Sequence, residues 1–120
     1  MKYDLEERTA KFSENIIDLC NSIKKNPVNE VLVKQLVRSA TSIGANYCEA
    51  NQASSKKDFV NKIFICKKES NETKYWLRLL IKENLNRKEE LYRSSKEAHE
   101  LTLIFSKIIT SSKIKNLEIK

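Results

Sequence analysis

A chain of 120 residues with one glycine and one proline has almost no material for tight turns. Sheets need many turns, and turns draw on those two residues wherever the backbone takes special geometry. Plentiful charge beside an ordinary apolar fraction suits helices instead, so the chain reads as a single all-α domain. Nor does the glycine mark a turn. Gly44 lies inside residues 38–49, a stretch of helical periodicity, where glycine costs roughly 1 kcal/mol relative to alanine. Ser39, Ala40, Ser42 and Ala45 surround it with small side chains. The segment is therefore expected to be a crossing where another helix backbone comes close.

Apolar residues at three- and four-residue steps mark four helices, over residues 4–25, 27–51, 56–84 and 87–112. The first carries Leu5, Phe12, Ile16, Leu19, Cys20 and Ile23, with Lys24 and Lys25 placed to complement its dipole. Asn26-Pro27 ends that helix and starts the next, Asn26 as N-cap and Pro27 in the first turn. The second has one stripe of Leu32, Leu36, Ala40, Ile43 and Tyr47, and beside it Val33, Val37, Gly44 and Cys48. Ser55 and Asp58 stand at capping-box spacing before the third, which presents Phe59, Ile63, Cys66, Ser70, Thr73, Leu77, Leu80 and Ile81. Asn86 and Glu89 repeat that spacing before the fourth, with Leu91, Ala98, Leu101, Ile104, Phe105, Ile108 and Ile109; the chain is expected to fray from Ser111. Short connections make neighbours antiparallel, so the expected architecture is an up-down-up-down four-helix bundle.

The residue inventory argues against catalysis. A di-metal bundle site needs inward glutamates with Glu-x-x-His pairs, but the sole histidine, His99, follows Lys96 at that spacing. His99 reads as a surface or interhelix residue. Cys20, Cys48 and Cys66 lie on the apolar stripes without C-x-x-C spacing, so they read as reduced buried thiols of a cytoplasmic protein. No apolar run is long enough for a membrane span, and the charged N-terminus does not suit a signal peptide. No enzyme activity, cofactor, metal or membrane partner is expected. Asn46, Glu49, Glu69 and Glu72 are candidates for polar pairs between the second and third helices.

A formal net charge of +7 favours anionic partners. Lys56, Lys57, Lys67, Lys68, Lys74, Arg78 and Lys82 gather on one side of the third helix, away from its core stripe. Such a strip can neutralise several phosphates and release their counterions, with little sequence selectivity. Val60, Phe64, Ile65, Trp76 and Leu79 lie off the same helix's main stripe and need cover. Self-association is one way to supply it, and a neighbouring helix or loop is another.

Residues 35–50 (QLVRSATSIGANYCEA), 58–62 (DFVNK) and 68–77 (KESNETKYWL) resemble the four-helix-bundle family of 23S rRNA intervening-sequence proteins. The resemblance covers the second and third helices in order, while the first and fourth agree in kind. Its motif positions here are Ser42, Gly44, Asn46, Glu49, Glu69, Glu72, Tyr75 and Trp76. It implies a homopentameric bundle of bacterial origin, and a fold shared with the accessory variability proteins of diversity-generating retroelements, which associate with a reverse transcriptase and nucleic acid. The expectation is a non-enzymatic homo-oligomer whose basic surface binds RNA or DNA; a protein-binding scaffold is the alternative.

Overall fold

The computed structural model describes residues 4–119, and side chains as far as 112. It contains α1 (Leu5–Asn21), α2 (Pro27–Asn51), α3 (Lys56–Glu83) and α4 (Lys88–Ile119), with a short 3-10 turn, Leu85–Arg87, before α4. Cross-helix contacts fix the directions. Asn29, Ser39, Ile43 and Glu49 of α2 meet Asn84, Thr73, Cys66 and Lys62 of the α3 segment, in reverse order along the chain. Ser13 reaches Ala40, Arg8 pairs with Glu97, and Lys74 meets His99, so every neighbouring pair is antiparallel. The result is a rod-like four-helix bundle of 55 × 22 × 21 Å. No described helix is long and apolar enough to cross a membrane.

The core follows the helical periodicity closely. All six apolar residues expected to face inward from the first helix are buried, as are Leu36, Ala40 and Ile43 of α2, Ile63, Leu77 and Leu80 of α3, and Leu91, Leu101 and Phe105 of α4. Gly44 lies against Thr9 of α1: a Cβ there would stand 3.2 Å from Thr9 Oγ1 and 3.6 Å from its backbone carbonyl carbon. The crossing expected at this glycine is therefore between α1 and α2. Cys48 departs from its expected place. Cys20 and Cys66 are buried, but Cys48 is exposed, because the second apolar stripe of α2 ends before reaching it.

Helix ends differ where side chains intervene. The N-caps form as the sequence predicts: Asn26 Oδ1 accepts from Asn29 N at 2.8 Å, and Ser55 Oγ accepts from Asp58 N at 3.1 Å. The first helix, however, stops at Asn21 instead of running to residue 25. Ser22 closes it, donating from Oγ to Leu19 O at 2.7 Å, and Asn29 Nδ2 holds Lys24 O at 2.9 Å. Lys24 and Lys25 thus lie beyond the helix they were expected to complement. Before α4, the expected Asn86–Glu89 cap gives way to the 3-10 turn, since buried Asn84 ties the chain to α2. At the other end α4 continues to Ile119, through the stretch expected to fray.

Candidate nucleic-acid interface

The 3.6-residue turn of α3 separates its charges by sign. Asp58, Glu69, Glu72 and Glu83 fall on the flank toward α2, whereas Lys56, Lys57, Lys67, Lys68, Lys74, Arg78 and Lys82 fall on the outer crest and the flank toward α4. Lys62 is the cation on the acidic side, and it pairs with Glu49 of α2 at 3.2 Å. The seven strip residues form two rows. Lys56, Lys67, Lys74 and Arg78 run beside α4, with Lys67 and Lys74 half-buried. Lys57, Phe64, Lys68, Tyr75 and Lys82 follow the crest at steps of four or seven, so aromatic rings interleave with cations. From residue 56 to 82 the crest spans about 39 Å, a length that covers on the order of ten phosphates along one strand.

The acidic flank is held by a side chain that the spacing of α3 alone does not reveal. Arg38 of α2 donates from Nη1 to Glu69 Oε2 at 3.3 Å and pairs through Nη2 with Glu72. Trp76 Nε1 donates to Glu72 Oε2 at 2.9 Å, and the Tyr75 ring meets Trp76 edge-on at 5.1 Å. A buried carboxylate needs such a partner, and Glu69 is only 8% exposed. Of the other motif residues, Asn46 bonds within its own helix to Ser42 O, while Glu49 is exposed and reaches Lys62. Besides the Arg38 contacts to Glu69 and Glu72, the buried polar pairs between α2 and α3 include two not expected from the sequence, Asn29 with Asn84 and Ser39 with Thr73. Arg38 could have been suspected from its place inside the motif. The asparagine pair had no local signal, since its members lie 55 residues apart.

The basic surface extends beyond the sequence-predicted strip onto α4. Lys74 Nζ lies 3.2 Å from His99 Nδ1, joining the inner row of α3 to the exposed side of α4. There Lys88, Tyr92, Arg93, Lys96 and Lys107 are all exposed. The histidine is thus an exposed residue at the α3–α4 seam, within the surface-or-interhelix expectation.

The residues off the main stripe of α3 do not make one patch. Val60 is half-buried and faces α4, and Phe64 stands on the basic crest, 43% exposed. Ile65, Trp76 and Leu79 lie on the opposite flank toward α2, where Trp76 and Leu79 pack in part against the core. Much of the cover they need is supplied within the chain.

A family model described as 23S rRNA-intervening sequence protein matches residues 1–107. A crystal structure of a protein with unknown function from the S23 ribosomal protein family of Bacteroides thetaiotaomicron is also similar, at 38% identity. The alignment covers 87% of this chain and 96% of that one, with a TM-score of 0.77. No curated protein sequence matches.

Proposed function

Because the chain belongs to the 23S rRNA-intervening sequence protein family, we propose that it works as a non-enzymatic homo-oligomeric bundle whose α3–α4 surface binds RNA or DNA, as an accessory to a larger nucleoprotein. The observation that supports this is the separation of charge around α3. Glu69 and Glu72 on one flank are matched by Arg38, leaving the cations of the opposite flank to form a field of one sign. A line of flexible cations over some 39 Å suits a polyphosphate backbone better than it suits a compact anion. Repetition of that field by symmetry in an oligomer would strengthen attraction without adding base selectivity.

The test is light scattering of the purified protein, alone and with a structured RNA, at low and moderate salt. A defined oligomer that binds RNA and releases it as salt rises is the expected result. Replacing Lys67, Lys74 and Arg78 together with glutamine should leave the fold intact, weaken binding and flatten the salt dependence. Undiminished binding by that variant at every salt concentration would remove the basic face from the interface.

A second reading has its own observation. Val28, Val31 and Leu85 are 51%, 60% and 70% exposed at one end of the bundle, where α2 begins and α3 ends. An apolar cluster of this kind suits a protein partner, making the chain a scaffold whose charge serves solubility and steering. An oligomer that ignores RNA at low salt would favour this reading.

A further inference from the structure

Among the charged faces of the molecule, the outer side of α4 differs from that of α3 in one respect. A single tyrosine stands there between two hollows. Tyr92 is 49% exposed and belongs to neither of the aromatic ring pairs among the described residues. On one side it borders a hollow of 540 Å³ with Lys88, Glu89, Arg93 and Lys96. On the other it borders a hollow of 370 Å³ with Lys74, Ser95, Lys96, His99 and Glu100, at the seam with α3. Both volumes fall in the range of small-ligand clefts, and the first has three cations against one carboxylate.

We propose that this ridge binds unpaired nucleotides, the Tyr92 ring stacking on a base while Lys88, Arg93 and Lys96 hold the flanking phosphates. The inference rests on the nucleic-acid reading above and names the form of nucleic acid that the face selects. Lys88 and Lys96 stand four residues before and after Tyr92, one helical turn to either side, so cations flank the ring along the helix. The ring projects from the side of a helix, with a hollow on each side to receive a base. In a duplex the base faces are covered by their neighbours, and lysines could contact only phosphate. An exposed ring among cations therefore adds affinity only where a base is unstacked. Glu89 and Glu100 sharpen the same preference, since a carboxylate in each hollow opposes a phosphate there but not a base face.

The experiment is fluorescence anisotropy with a labelled single-stranded oligonucleotide and a blunt duplex of the same sequence, against the full chain. The expected result is tighter binding of the single strand. Tyr92→Ala should weaken single-strand binding about tenfold and duplex binding little, the loss corresponding to one stacked base. Because stacking releases no counterions, the salt slope should stay that of the parent, whereas Lys96→Gln should lower it by about one. Tyr92→Phe keeps the ring and should retain the affinity, and the loss in Tyr92→Ala should be alike on ribo- and deoxyribo-strands. Single-strand binding unchanged by Tyr92→Ala, or equal losses on strand and duplex, would overturn the stacking site while leaving the basic face in place. Failure of the parent chain to bind either form at low salt would overturn both.

Discussion

Gly44 sits where α2 crosses α1, and the neighbour it meets is a threonine whose position is fixed. Thr9 is 1% exposed and donates from Oγ1 to Leu5 O at 2.6 Å. A side chain at position 44 must therefore displace α1 or break that bond. Gly44→Leu should cost about 1–3 kcal/mol in urea unfolding, the usual penalty of overpacking. Gly44→Ala is the finer probe: on an open helix it would gain about 1 kcal/mol, and here the 3.2 Å approach to Thr9 should cancel that gain. A stabilised alanine variant would mean that the crossing is looser than described. The cysteines offer a second check at this scale. Burial pushes the Cys66 thiol up to about 12 and Cys20 up to about 11 from an ordinary 9.0. With folded values above unfolded ones, their contribution to stability is complete below pH 9.0 and is lost as pH rises toward 11 and 12. Brief iodoacetamide treatment of the native protein at mildly alkaline pH should label Cys48 alone, with Cys20 and Cys66 following only in urea. The glycine crossing was legible in the sequence because a mid-helix glycine among small residues has few other uses. The exposure of Cys48 was not, because its spacing matches a stripe whose last member no neighbour covers.

Between elements, the α2–α3 pair is joined by polar contacts that differ in how they would fail. The carboxamides of Asn29 and Asn84 exchange two hydrogen bonds of 3.0 Å, and both residues are buried. Asn29→Ala should cost about 1–3 kcal/mol, since it leaves the Asn84 amide buried with bonds unmade. Arg38 is more exposed, yet it serves Glu69 and Glu72 together. Arg38→Met should destabilise by on the order of 2 kcal/mol, and a cycle with Glu72→Gln should show coupling between the two. Additivity in that cycle would dissolve the network. Periodicity predicted which residues of each helix face inward, because burial imposes the 3.6-residue repeat locally. It did not predict where α1 ends or how α4 begins. Those boundaries are decided by Ser22, Asn29 and Asn84, each of which also has a partner distant in sequence: Arg87 for Ser22, and Asn29 and Asn84 for one another.

Across the whole molecule the excess of positive charge on the α3–α4 side repels itself until an anion arrives. The glutamine variant of Lys67, Lys74 and Arg78 should consequently melt no lower than the parent, and moderate salt should raise the parent's melting temperature more than the variant's. Half of this surface was legible from one helix taken alone. The α4 half, with Tyr92, Lys96 and His99, required knowing which side of α3 the fourth helix lies against. The side of the bundle between α1 and α4 carries a different consequence. There α1 rests on α2 but faces α4 across a groove of 390 Å³ floored by Phe12 and Leu19, bridged by Arg8–Glu97 and by Arg87 to Ser22. A helix packed along one neighbour and pinned at two points to the other is the one that can lift away with the fewest interactions lost. Amide hydrogen exchange should therefore proceed in α1 ahead of the central turns of α2 and α3, and Arg8→Gln should speed it in α1 alone. In kinetic terms the groove makes α1 the gate to the core: each opening would bare Phe12 and Ile16, which are buried while it is closed.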